Sequence, residues 1–189
     1  MKVGIFGGTF DPVHIGHLIT VQSVIELRKL DKVILIPSYI SPLKQEEKHS
    51  SPTDRMNMVK LTIEGNKKIE VSDFEIRNEN VSYTIDTVTH FLNEHSSIDL
   101  IIGYDNLLVF DKWKDPDKLV KLCNIVVMKR KSDIPDKKNK YFDSVTLIDT
   151  PVIEISSTEI RKRIRNNLPV NYLVPDPVLK YICKNDLYI

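Results

Sequence analysis

Cysteine is scarce in this sequence. Only Cys123 and Cys183 occur, outside any C-x-x-C pair or Cys/His cluster, which excludes a disulfide framework. An excess of one charge sign is also missing: 27 lysines and arginines face 26 aspartates and glutamates, for a net charge of +1. Near neutrality argues against a nucleic-acid coat or a polybasic membrane binder, and leaves room for a local basic pocket. No apolar run approaches the ~18 residues that span a bilayer. Met1-Lys2-Val3-Gly4-Ile5-Phe6 turns to glycine too early for a signal peptide. The expectation is a soluble, cytoplasmic protein with neither a nucleic-acid nor a membrane partner. What the chain does have is size. Its 189 residues suit one domain that buries roughly 70% of its unfolded surface without a staple.

Short apolar runs alternate with amphipathic stretches. Val3–Phe6, Val33–Ile36, Ile69–Ile76, Ile98–Ile102, Asn124–Met128 and Val145–Ile148 read as strands. Helices are expected near residues 15–29, 54–65, 84–95, 116–122, 157–166 and 176–184, the last two making a C-terminal helical part over about 156–189. Strands unbroken by polar alternation suit a parallel sheet covered on both faces. The order β-α-β-α therefore reads as a doubly wound, mainly parallel α/β fold, Rossmann-like, with ligands at the carboxyl ends of the strands. Two connections, 37–53 and 129–143, are long for such a fold, and the second reads as a solvated charge run.

Glycine is unevenly spread. Four of six (Gly4, Gly7, Gly8, Gly16) lie in the first 16 residues, around Gly7-Gly8-Thr9-Phe10-Asp11-Pro12-Val13-His14-Ile15-Gly16-His17. A strand that ends in two glycines lets the backbone approach a ligand closely. The helix that follows aims its N-terminal amides at the same place, an arrangement that binds phosphate. Neither G-x-G-x-x-G nor the P-loop pattern is present. His14 and His17, at i and i+3, share one face of the first helical turn, which Leu18, Val21 and Ile25 continue. Three readings compete for the pair: histidines packed on a buried face, a metal site, or two donors to nucleotide phosphates. A metal site wants a third ligand at defined spacing, and none is visible; the flanking glycines favour phosphate.

Gly7–His17 resembles the G-x-F-D-P-x-H-x-G-H signature of the nucleotidylyltransferase superfamily. Val13 stands where a second proline is common. The resemblance implies a Rossmann-like nucleotidylyltransferase fold in which Gly7, Gly8, Thr9 and Phe10 border ATP, and His14 and His17 stabilise the transferring phosphoryl group.

Ile155-Ser156-Ser157-Thr158-Glu159-Ile160-Arg161 precedes the last helices. Ser156 and Glu159 fit a capping box. Arg161, expected in the first turn, would oppose the helix dipole unless a polyphosphate were bound there. The segment is similar to the I-S-S-T-x-I-R motif of the adenylyltransferase branch, which implies that Ile155, Ser156, Ser157, Thr158 and Arg161 hold the ATP phosphates. Ser82-Tyr83-Thr84, Gly103-Tyr104-Asp105, the single Trp113 and the ending Tyr181-Ile182…Leu187-Tyr188 look like the bacterial nicotinate mononucleotide adenylyltransferases, from Val3 to Tyr188. Thr84 could equally be a plain N-cap. Trp113, among polar neighbours, suits a stacking platform.

That resemblance implies transfer of AMP from ATP to nicotinate mononucleotide, giving deamido-NAD and pyrophosphate without a covalent intermediate. Gly103 and Asp105 would meet the nucleotide sugars. Asp11, Lys44, Tyr83, Thr84, Asp105, Trp113 and Arg130 would serve the acceptor, and Arg55 matches a basic position of the family. Mg²⁺ would arrive with ATP rather than in a protein cage. A phosphopantetheine or nicotinamide mononucleotide acceptor, a nucleotide-binding module without catalysis, and a homo-oligomer all stay open at this point.

Overall fold

The computed structural model describes residues 1–42, 49–129, 139–151 and 153–189. Lys2–Gly8, Lys32–Pro37, Ile69–Val71, Ser97–Gly103, Asn124–Lys129 and Val145–Asp149 form strands β1 to β6. They lie in the order β3-β2-β1-β4-β5-β6, every neighbouring pair parallel. Eight α-helices are placed around them: α1 (Ile15–Arg28), α2 (Pro52–Ile63), α3 (Phe74–Arg77), α4 (Thr84–Leu92), α5 (Tyr104–Leu108), α6 (Pro116–Leu122), α7 (Ser157–Arg165) and α8 (Asp176–Lys184). This is the doubly wound arrangement that the alternating pattern implied. No helix among the described residues is long and apolar enough to cross a membrane.

The period-two alternation of strand side chains divides the apolar residues between two faces. Val3, Ile5, Leu100 and Ile102 pack with Ile85, Val88 and Phe91 of α4, Leu107 of α5 and Leu119 of α6. Val33, Leu35, Ile101 and Val126 pack on the other face, with Val21, Val24 and Ile25 of α1, Met58 and Val59 of α2, and Val178 and Ile182 of α8. Gly4 faces this second cluster, where a Cβ would stand 2.8 Å from side-chain carbons of Leu30 and Ile101. The absence of a side chain there leaves room for Leu30, Val33 and Ile101 to pack over β1. At the amino end of the sheet, buried Asp99 accepts from Arg28 Nε at 2.7 Å and from Asn124 at 3.0 Å, with Lys2 3.6 Å away. Both carboxylate oxygens are thus satisfied, as a buried charge requires.

One expected element is different. The run 69–76 does not continue as a strand: β3 stops at Val71 and Phe74–Arg77 is helical. Ser72 Oγ accepts the Phe74 N–H at 3.2 Å, and the Arg77 N–H returns to the Asp73 carbonyl at 2.8 Å. These local bonds outcompete the strand ladder. Residues 104–108, without a sequence assignment, form α5.

The order of the strands fixes where a ligand can lie. From β1 the chain winds through α1 and α2 to β2 and β3, and it returns to β1's other side as β4. Connections leave β1 and β4 toward opposite faces, and a crevice opens between their carboxyl ends, at Gly7-Gly8 and Gly103.

Candidate active site

A cavity of about 560 Å³ occupies that crevice, bordered by Gly7–Asp11, His14, His17, Tyr83–Thr84, Trp113 and Ser156–Thr158. A Cβ added to Gly7 would meet nothing within 4 Å, so the bare backbone of β1's end faces open space. At Gly16 a Cβ would come within 3.0 Å of the His14 ring, which gives the glycine between the two histidines a steric reason.

His14 is the N-cap of α1 and His17 its third residue. Their rings stack with centroids 3.6 Å apart. The His14 backbone N–H donates to His17 Nδ1 at 3.2 Å. An Nδ1 that accepts carries no proton, so the neutral His17 ring bears its proton on Nε2. Burial brings the His14 pKa down to about 4. Burial, and next the His14 ring beside it, hold His17 well below the ordinary imidazole value. Near pH 7 both rings are neutral, and each can offer an N–H to an anion. The Nδ1 of His14 is buried without a hydrogen-bond partner among the described residues.

Helix α7 also borders the cavity. Ser156 caps it by accepting the Glu159 N–H at 3.2 Å. Because the helix starts at Ser157, Arg161 lies in the second turn, not the first. Helical side chains lean toward the N-terminus, and the guanidinium accordingly comes back over the cap: Nη2 approaches Thr158 Oγ1 at 3.4 Å and Nη1 donates to the Asp11 carbonyl at 2.8 Å. Arg161 Nε has no partner among the described residues. Ser157 Oγ donates to the Pro12 carbonyl at 2.9 Å, a second tie from α7 to the glycine-rich loop.

Below this loop lies a polar network. Asp11 is 1% exposed. Its carboxylate accepts hydrogen bonds from Ser50 Oγ and from Tyr188 at 2.7 Å, and faces His49 Nδ1 at 3.1 Å. Burial alone would raise its pKa, yet these bonds, together with the Arg161 charge, hold the carboxyl below its ordinary value. Arg55, also 1% exposed, donates to the carbonyls of Thr9 at 2.9 Å, Tyr39 at 3.1 Å and Ser50 at 3.3 Å. Asp11 and Arg55 are therefore engaged with the protein itself, bracing the loop from beneath.

Elsewhere along the cavity, Trp113 packs against Phe110 with centroids 5.1 Å apart, and its Nε1 is buried without a partner among the described residues. It is half-buried against the first apolar cluster while still lining the cavity. Lys114 stands 4.5 Å over the Tyr83 ring. Tyr83 is the N-cap of α4 and Thr84 its first residue, so amides at the start of that helix border the cavity.

Similarity to known proteins bears on this geometry. A family model described as Cytidylyltransferase-like matches residues 5–163. A relative from Caldicellulosiruptor saccharolyticus, named "Probable nicotinate-nucleotide adenylyltransferase", is 41% identical over 195 residues, covering 100% of this chain and 99% of its own. One of the same name from Caldicellulosiruptor bescii is 42% identical over the same span. The chain belongs to the nicotinate-nucleotide adenylyltransferase family. The fold agrees: a Plasmodium falciparum nicotinic acid mononucleotide adenylyltransferase, complexed with NaAD, superposes with a TM-score of 0.80 at 20% identity, covering 99% of this chain and 97% of that one.

Most residues that the sequence assigned to this adenylyltransferase site do line one cavity. Gly7, Gly8, Thr9, Phe10, Asp11, His14, His17, Tyr83, Thr84, Gly103, Asp105, Trp113, Ile155, Ser156, Ser157, Thr158 and Arg161 all border it. Lys44 and Arg130 lie outside the described residues. Among the cavity residues not singled out from sequence are Ser38 and Glu75. Ser38 follows the carboxyl end of β2, where strand topology alone could have pointed to it. Glu75, which burial pushes up in pKa while Thr87 donates to it at 2.6 Å, was hidden in the run misread as strand.

Proposed function

We propose that the protein transfers AMP from ATP to nicotinate mononucleotide, forming deamido-NAD and releasing pyrophosphate. The observation that carries this reading is the pair of neutral, stacked imidazoles lining one cavity with the N-terminus of α7, in a chain about two-fifths identical over its full length to nicotinate-nucleotide adenylyltransferases. An oxygen of the acceptor's 5′-phosphate attacks the α-phosphorus of ATP. As the new P–O bond forms, the bond from the α-phosphorus to the β-phosphate oxygen breaks, and pyrophosphate leaves. The attacking phosphate is already ionised, so no strong general base is needed. Catalysis is positioning and charge stabilisation.

His14 and His17 donate N–H groups to the α-phosphate, His17 through the Nε2 proton that its hydrogen bond to the His14 backbone dictates. The amides and hydroxyls of Ser156–Thr158 and the guanidinium of Arg161 hold the β- and γ-phosphates. Gly103 and Asp105 meet the sugars. Tyr83, Thr84 and Trp113 seat the pyridine ring, whose carboxylate suits the α4 amides better than an amide group would. Imidazoles, hydroxyls and a guanidinium are partners for phosphate oxygens; among the described residues no group of three or more His, Cys, Asp or Glu is placed to hold a metal. In this reading magnesium comes with the substrate, as MgATP, held by triphosphate oxygens rather than by a protein cage.

The test is pyrophosphate release from ATP with nicotinate mononucleotide, nicotinamide mononucleotide or phosphopantetheine. The expected result is a preference for nicotinate mononucleotide over its amide of at least ~10²-fold in kcat/KM, since donors left unpaired cost roughly 1–3 kcal/mol each. Equal use of both mononucleotides would refute acid selectivity, and turnover only with phosphopantetheine would replace the acceptor altogether.

A further inference from the structure

Asp11 connects two distant parts of the chain. Its carboxylate accepts from the Tyr188 hydroxyl at 2.7 Å, and its carbonyl accepts from Arg161 Nη1 at 2.8 Å. Tyr188 does not border the cavity; Asp11 and Arg161 both do. Bringing the hydroxyl there requires an unusual backbone. After α8 the chain passes through Asp186 at φ 49° and Tyr188 at φ 70°, both in the left-handed region. Non-glycine residues held there are strained and persist only where their surroundings over-determine them. The tail is secured on either side of this strain. The Leu187 N–H returns to the Ile182 carbonyl at 3.1 Å, and Tyr181 bonds to Asp54 at 2.9 Å and Asn57 at 3.0 Å, fastening α8 to α2. Across the contact, Phe10, next to Asp11, is also left-handed, at φ 52°. Strain is thus stored on both sides of one hydrogen bond, directly under the loop that carries the signature.

We propose that Tyr188 is a positioning residue for adenylyl transfer: by donating to Asp11 it fixes the signature loop, and through the Asp11 carbonyl the arginine that meets the phosphates. The inference rests on the adenylyl-transfer reading above. Misplacement of reacting groups by about 1 Å costs up to 10²-fold in rate, so a brace of this kind acts on kcat. A purely structural hydroxyl would act on melting temperature alone.

The experiment compares wild type, Tyr188→Phe, Asp11→Asn and the double variant. Steady-state pyrophosphate release with ATP and nicotinate mononucleotide is measured well below each protein's melting temperature. Tyr188→Phe should lower kcat by about tenfold or more and leave both KM values within about threefold, the pattern of an interaction expressed in the transition state. In the Asp11→Asn background the same substitution should change kcat by less than about twofold, because the acceptor of its bond has already been altered. Wild-type kcat in a folded Tyr188→Phe protein overturns the proposal. So does a loss that follows the unfolded fraction, or a Phe variant unable to fold, since each makes the hydroxyl structural. Undiminished loss in the Asp11→Asn background overturns the route through Asp11. A wild type that is silent with these substrates would instead bring down the adenylyl-transfer reading and this inference with it.

Discussion

At the scale of single residues, the two histidines carry the sharpest expectations. Removing one preorganised donor to a developing oxyanion costs ~10²–10³ in kcat, about 3–4 kcal/mol. His17→Ala should lose at least that much while keeping its circular dichroism spectrum and melting behaviour; near-normal turnover would return the ring to a packing role. His14 also has a signature in stability. Its unfolded ring takes up a proton from about pH 6.5 downward, whereas the folded ring waits until about 4. Between these values the unfolded state holds more protons, so stability is lost as pH falls. The His14 share of that loss reaches about 3 kcal/mol by pH 4. Urea denaturation of wild type and His14→Asn at pH 7 and pH 4.5 should show the variant losing clearly less, and parallel losses would contradict burial of a neutral ring. Trp113→Ala should raise KM for the acceptor and leave KM for ATP nearly intact; a change confined to ATP would move that side chain to the other substrate.

Secondary-structure elements show where sequence reasoning holds and where it stops. Apolar tetrads such as Val33–Ile36 have one comfortable home, a strand buried on both faces, and they lie in β2. The Gly7–His17 pattern was readable because several residues in it stand at local features: open space at Gly7, the ring over Gly16, the N-cap position at His14. By contrast, Ile69–Ile76 was misread because Ser72 and Asp73 redirect the backbone through bonds that an apolar count does not register. The networks around Asp11 and Arg55 were illegible for another reason. The side-chain partners of Asp11 sit 38 to 177 residues away and Arg55 reaches Thr9 across 46, and spacing along a chain says nothing of such meetings. Two substitutions probe this scale. Ser156→Ala removes the N-cap of α7, worth about 1 kcal/mol, and should raise KM for ATP more than for the acceptor; the opposite ranking would detach α7 from the triphosphate. Gly4→Ala crowds Leu30, Val33 and Ile101 and should cost about 1–3 kcal/mol in melts with unchanged KM values, since Gly4 lies inside the sheet. An unaffected melting temperature would show that Leu30 and Ile101 can yield.

For the whole molecule, the parallel sheet acts as a frame whose carboxyl edge gathers the described groups that the proposed mechanism assigns to ATP and the acceptor. EDTA should abolish turnover, and Mg²⁺ should restore it fully; retention of one equivalent of zinc, lost with His14, would overturn the assignment of the histidines to phosphate. The ties that steady the glycine-rich loop also impose an order in time. Ser157, Arg161 and Tyr188 reach Pro12 and Asp11 across 145, 150 and 177 residues. A ribosome adds about 5–20 residues per second, so the histidines emerge many seconds ahead of the side chains that steady their loop. A nascent chain can thus carry the Gly7–His17 signature well before it carries the side chains that tie that loop down.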